Sequence, residues 1–312
     1  MASGSGSGSD RVPKRDRRTA AREKARLMRE EAQRRARRRK WIVQGSVSAG
    51  VLVVLAIIAL VIVSSIRPAG PGPENMASGG ILLTSTTKAV KAPPHAVDSL
   101  AANTESKSDN VAHIRVYLDY QCPYCKQFED TNGKQIGKWV DAGIATVEIH
   151  PISILDASSS GTHYSTRAAN AAACVANDKP NRFYAVNSAL FAKQPKEGGT
   201  GLTDEKILSI MKSAGASSDA LTSCVKDGRY TSWVKSVTQK VTTAKKLPGA
   251  KVPLSGTPTV LVNGTAYSGS LTDASAFQSF VMQVMAASAG SGSNSGSSTP
   301  TPSAPASSTP TP

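Results

Sequence analysis

Apolar and polar side chains alternate along residues 114–119 (IRVYLD), which predicts a strand with one buried face. Residues 145–149 (ATVEI) repeat the pattern. Between them, Phe128, Ile136 and Val140 recur at helical spacing, with Pro123 suited to the first turn and Gly143 to the stop. Helical periodicity then continues through 165–177, 182–191, 203–214, 217–226 and 230–246, with Asp204 and Glu205 favouring the start of the third. The apolar run 259–262 is followed by Asn263-Gly264, a two-residue hairpin signal, so 265–267 is predicted to return antiparallel. Asp273 caps a last helix from 274 to about 286, with Phe277, Phe280, Val281, Val284 and Met285 on one side. The order is β-α-β, a helical block, then β-β-α.

One apolar stretch fits no soluble element. Residues 47–66 (VSAGVLVVLAIIALVIVSSI) carry no charge. Twenty helical residues span about 30 Å, the hydrocarbon thickness of a bilayer. The run is longer than the apolar part of a cleavable signal peptide, and it follows a basic region of about 40 residues. It is therefore expected to be an uncleaved anchor, with Trp41 at the interface.

Charge sets the orientation. The 312-residue chain has 37 Lys and Arg against 22 Asp and Glu, a net charge of +15, and residues 1–40 hold 15 basic and 5 acidic side chains. The positive-inside rule puts the N-terminus in the cytoplasm and the region after residue 66 outside. The basic stretch is expected to touch anionic lipid rather than nucleic acid, because no aromatic residue interleaves its charges. Residues 67–80 (RPAGPGPENMASGG) read as a Pro/Gly spacer, and 287–312 as a disordered Ser/Thr/Pro tail. What remains, 81–286, is long enough for one well-buried domain. This organisation excludes a wholly soluble protein and a disulfide-dense miniprotein.

The chemistry lies in four cysteines: Cys122, Cys125, Cys174 and Cys224. Cys122-Pro123-Tyr124-Cys125 falls where the first strand meets the first helix. A cysteine at a helix N-terminus faces unpaired N–H groups and the positive end of the dipole, which stabilise a thiolate. Thiolate is the attacking species in thiol–disulfide exchange. Cys122 is thus the expected nucleophile, and Cys125, one turn on, the resolving thiol. A zinc site would need further ligands from Cys174, Cys224, His95, His113, His150 or His163, and none of these forms a second close pair, so no metal is expected. Asp119, Glu148 and His150 are candidate proton-handling neighbours, or solvated strand-end residues.

The runs YLDYQCPYC and GTPTVLVNG, separated by a helical block, resemble the thioredoxin-like fold. They are most similar to membrane-anchored DsbA-like oxidoreductases of actinobacterial type, over residues 81–286. The resemblance implies an α/β fold: a thioredoxin-like sheet with a helical insertion at about 158–247, and an extra edge strand from 80–84. It implies that Pro258 is a cis proline facing the cysteine pair, rather than a mere strand-entry proline. Thr257 would then meet substrate through its backbone, with Pro123 and Tyr124 alongside. It also implies a second disulfide between Cys174 and Cys224, two buried free thiols being the alternative. No cofactor is implied. The expected partners are exported proteins with cysteine thiols and a membrane reoxidase of DsbB or vitamin K epoxide reductase type. Strongly oxidising DsbA proteins carry Pro-His between the cysteines; Pro-Tyr here lacks that cation. Oxidation is the expected direction. A disulfide reductase, for example in cytochrome c maturation, and a non-catalytic binding module are the alternatives.

Overall fold

The computed structural model describes residues 70–99 and 110–292, together with the isolated positions 26, 28 and 34. The apolar run 47–66, almost all of the basic stretch, and the tail beyond 292 lie outside the described residues. Among the described residues no helix is long and apolar enough to cross a membrane. The chain divides into two units, 1–67 and 68–312, and the second holds the fold described below.

The predicted strand forms as β3 (Ala112–Leu118) and the second as β4 (Ala145–Pro151), joined by α1 (Pro123–Asp141). β3 and β4 pair in parallel, Val116 opposite Ile149, so a long crossover must join them, and α1 supplies it. β5 (Thr259–Val262) lies antiparallel on the other side of β3, and β6 (Thr265–Ala266) follows through the Asn263-Gly264 turn. β1 (Ile81–Ser85) and β2 (Lys88–Ala89) complete a six-stranded sheet in the order β2-β1-β4-β3-β5-β6. β1 was expected at the edge. It lies inside instead, because the short β2 folds back on it, and its first three residues are buried.

Between the two halves of the sheet run α2 (Tyr164–Asp178), α3 (Phe183–Ala192), α4 (Asp204–Ser213), α5 (Asp219–Lys226) and α6 (Thr231–Thr243). α2 is the centre of this block. Its small side chains (Ala168, Ala169, Ala171, Ala172, Ala173, Ala176) are at most 1% exposed, so neighbours pack on every side. Thr203 and Ser218 cap α4 and α5 by accepting from Lys206 N and Leu221 N. Cys174 on α2 is bonded to Cys224 on α5, 50 positions away. α7 (Ala274–Gly292) closes the fold against α1, where Phe277 meets Phe128 edge-on at 5.2 Å.

Two boundaries depart from the composition. The Pro/Gly segment before β1 is no free spacer. Gly72, Pro73, Asn75, Met76 and Ala77 are buried. Asn75 Nδ2 donates to Ala176 O, and Gly72 N to His95 O. A Cβ at Gly72 would stand 2.3 Å from Trp233 Nε1, so the glycine serves close approach, not freedom. At the other end, α7 runs six residues into the stretch read as disordered, carried on from the apolar face of 274–286 through Ala287, Ser288 and Ala289 to Gly292.

The crosslink of α2 to α5 closes a loop whose restriction in the unfolded chain is worth about 4 kcal/mol. Replacing both Cys174 and Cys224 by alanine is expected to lower the thermal midpoint by roughly 10 °C. Calorimetry of the two proteins under non-reducing conditions checks this, and equal midpoints would contradict it.

Candidate active site

The strand, the turn and the helix place the cysteine pair. β3 ends at Leu118, and Asp119 turns the chain: its carbonyl accepts from Cys122 N at 3.0 Å and its Oδ1 from Gln121 N at 2.8 Å. Cys122 is then the N-cap of α1, in extended conformation, with Pro123 as the first helical residue. The first N–H groups of a helix have no acceptor one turn back, so that of Tyr124 is left to the Cys122 sulfur, while that of Cys125, bonded to the Cys122 carbonyl at 3.1 Å, also faces it. Cys122 and Cys125 are free thiols, 4% and 2% exposed, whereas Tyr124 between them is 58% exposed. Pro123 is also exposed.

The other wall comes from the start of β5. The Thr257–Pro258 bond is cis, and Cys122 Sγ donates to the Thr257 carbonyl at 3.2 Å. The structure thus brings Cys122, Cys125 and Thr257 together, with Pro258 next in the chain. Thr257 acts on the sulfur in two senses. Its carbonyl accepts from the thiol and favours that form. Its hydroxyl, buried and without a hydrogen-bond partner, favours the thiolate instead.

These groups separate the two cysteines in acidity. The Cys122 thiol, ordinarily near 9, is brought down to about 6. The hydrogen bond from the Cys125 thiol contributes most. Burial opposes it, and the Thr257 hydroxyl and the N–H groups of Cys125 and Tyr124 add to it. Cys125 goes the other way. Burial holds its thiol well above the ordinary range, and the bond it gives Cys122 raises it further. At neutral pH the pair is a thiolate beside a thiol, which is the state needed for attack on a disulfide.

Of the three candidate proton-handling residues, Asp119 sits in the turn itself. It is fully buried and accepts from Gln121 N, Leu155 N (2.9 Å) and Ser165 Oγ (2.7 Å). Burial pushes its carboxyl up to about 6 against these donors. Gln121 extends the network: its Oε1 accepts from Ser159 Oγ at 2.7 Å and its Nε2 donates to Gly199 O at 3.3 Å. The turn from Asp119 to Cys122 is therefore fastened to the helical block by buried side chains. Glu148 and His150 belong to a different cluster, on the sheet face that also carries Arg115 and Tyr117. Glu148 accepts from Arg115 Nε and Ser78 Oγ, each at 2.5 Å, and lies 3.5 Å from His150 Nε2. Burial alone would raise its pKa, but His150 and Arg115 hold it well below the carboxylate range. His150 stacks on Tyr117 at 4.4 Å.

Sequence reasoning missed Gln121, Ser159, Ser165 and Gln194, whose amide reaches the Cys122 carbonyl. Their partners are 38 to 72 positions away, and no local pattern signals such pairs. Among the described residues no group of three His, Cys, Asp or Glu side chains converges as a metal site.

A family model described as Thioredoxin matches residues 106–282. The reduced form of a disulfide bond oxidoreductase (DsbG) from Mycobacterium tuberculosis superposes with a TM-score of 0.51 at 28% identity, covering 71% of this chain and 95% of that one. Reduced DsbA from the same organism gives a TM-score of 0.50 at 26% identity, over 68% of this chain and 98% of that one. A curated relative, the serine/threonine-protein kinase PknE of Mycobacterium tuberculosis (strain H37Rv), is 33% identical over 119 residues, 37% of this chain. The chain spans about a fifth (21%) of the length of the curated relatives it matches.

Alkylation of the reduced protein with iodoacetamide is expected to rise with pH around a midpoint near 6 and to level off by neutrality, with Cys122 modified and Cys125 spared. The sign follows from the depressed acidity: thiolate is present above about 6 and is lost as pH falls through that value. A midpoint near the ordinary thiol value of 9, read by mass spectrometry of the labelled peptides, would contradict this site.

Proposed function

The chain belongs to the thioredoxin family, and from that premise we propose that it is a membrane-anchored thiol–disulfide oxidoreductase that introduces disulfides into exported proteins. The observation that carries the reading is the pair of free cysteines at the start of α1, with Cys122 Sγ 3.2 Å from the Thr257 carbonyl beside the cis bond to Pro258. Unlike a binding module, this site keeps two free thiols of opposed acidity.

The reaction balances in two exchanges. In the oxidised protein a substrate thiolate attacks Cys122 Sγ. The Cys122–Cys125 bond breaks, a mixed disulfide forms on Cys122, and Cys125 leaves and takes up a proton. A second substrate thiolate then attacks the substrate sulfur of the mixed disulfide. The substrate gains its disulfide, Cys122 departs as thiolate, and two electrons have passed to the cysteine pair. Extended substrate lies along Thr257, with Tyr124 and Pro123 as the exposed side chains that meet it. Reoxidation of the dithiol requires a two-electron acceptor, assigned to a membrane reoxidase of DsbB or vitamin K epoxide reductase type.

The direction follows from the acidity. A disulfide binds no proton, so whatever stabilises the Cys122 thiolate stabilises the reduced protein and makes the disulfide the better oxidant. The bonds from Cys125 and Thr257 thus supply some of what a histidine between the cysteines would add. The location rests on the uncharged run 47–66 and the basic residues before it, which put the domain outside the membrane with the N-terminus in the cytoplasm.

Full-length protein in detergent, oxidised and mixed with a reduced test protein, is expected to form disulfides in it. Cys122→Ser is expected to abolish this, because no Cys122–Cys125 disulfide can form for the substrate to attack and no Cys122 thiolate can be released; full activity in that variant would remove Cys122 as the nucleophile. Protease added to intact protoplasts is expected to digest the part after residue 66 and spare the basic N-terminus. Protection of the large domain would reverse the topology.

A further inference from the structure

Pro123 has no N–H, so the peptide unit joining Cys122 to Pro123 has one hydrogen-bonding group, the Cys122 carbonyl. That carbonyl accepts from Cys125 N at 3.1 Å and Lys126 N at 3.2 Å. Both donors belong to α1 and move with it. A third donor comes from elsewhere: Gln194 Nε2, 72 positions along the chain, at 2.9 Å. Among the described residues this is the one hydrogen bond to that carbonyl from outside α1. The amide orientation is forced, since a carbonyl only accepts and Nε2 is the donor of the pair.

Gln194 is itself held. It follows α3, and its N–H donates to Phe191 O at 3.1 Å, with Leu190 and Phe191 buried behind it. Farther along the same segment, Gly198 O accepts from Ser160 Oγ and Gly199 O from Gln121 Nε2. The connection from α3 to α4 is thus a strap laid beside the nucleophile turn.

We infer that the Gln194 side-chain amide is a positioning group for the nucleophile, fixing the Cys122–Pro123 peptide unit so that the first N–H groups of α1 stay aimed at the Cys122 sulfur. This rests on the oxidoreductase reading above. Rotation about the Cys122 Cα–C bond swings that peptide plane and tilts the helix start relative to the sulfur. The sulfur changes partner through the cycle, from Cys125 to substrate to none. The α1 donors cannot oppose the rotation, because they rotate with the helix; Gln194, anchored in the helical block, does. Without its bond the plane relaxes, the N–H groups of Tyr124 and Cys125 lose alignment, and the thiolate loses support.

Gln194→Met keeps the length and removes the donor, and Gln194→Ala removes both. In each, the far-ultraviolet thiolate absorbance of the reduced full-length protein is expected to titrate at higher pH than in wild type. The thiol-to-thiolate ratio at fixed pH should rise about three- to tenfold, the worth of one ordinary hydrogen bond. Alkylation of Cys122 near pH 6, where wild type is about half thiolate, should slow about two- to fivefold and match wild type near pH 9, where both are thiolate. The thermal midpoint should hold, because Gln194 is only half-buried. Titration of both variants with wild type would overturn the inference. Unfolding of both would overturn it too, by making Gln194 structural. An ordinary thiol titration in wild type itself would instead count against the oxidoreductase reading.

Discussion

The site depends on a helix that starts with a cysteine as its cap and a proline as its first residue. Proline gives up an N–H that the helix could not have used, and its fixed φ suits the first turn. The Cys122 carbonyl takes the N–H groups of Cys125 and Lys126, and the Cys122 sulfur stands beside the helix start that remains, facing the N–H of Tyr124. The strand before and the helix after supply direction, and the sheet holds both. β3 is the interior strand from which the cysteines are launched, and β5, its neighbour, carries the Thr257 carbonyl back to the same sulfur.

That arrangement would be loose without the helical block. The turn from Asp119 to Cys122 contains no regular backbone ladder, so its polar groups need other partners. They find them in Ser159 and Ser165, in the N–H of Leu155, in the carbonyl of Gly199, and in Gln194. Burial lowers the acidity of the Asp119 carboxylate against the hydrogen-bond donors around it, while those same donors hold its geometry. The inserted helices therefore act on the chemistry by fixing the turn. The Cys174–Cys224 bond ties two of those helices together behind it.

The parts of the fold made by local pattern were legible in the sequence. Alternation marked β3 and β4, spacing marked α1 and the helices of the block, and Asn263-Gly264 marked the turn from β5 to β6. The cysteine pair was legible because its chemistry is local: two thiols one turn apart at a helix start. Thr257, Pro258 and the Cys174–Cys224 bond came from resemblance, since no spacing rule links residues so far apart. What escaped was long-range. The Pro/Gly composition of 67–80 suggested a spacer, yet Met76 and Asn75 are buried and Gly72 is needed for contact with Trp233. β1 moved inside the sheet through a two-residue strand too short to show a pattern. Gln121 and Gln194 read as ordinary polar residues, because what they bind is a backbone carbonyl from another part of the chain.

The central claim is that a supported Cys122 thiolate makes the Cys122–Cys125 disulfide an oxidant. Equilibration of the full-length protein with glutathione buffers, followed by trapping and separation of the two redox forms, measures it directly. The account predicts a reduction potential above about −200 mV, on the oxidising side of the glutaredoxin range and towards DsbA at about −120 mV. A value at or below about −270 mV, that of thioredoxin, would make the protein a reductant and contradict the account.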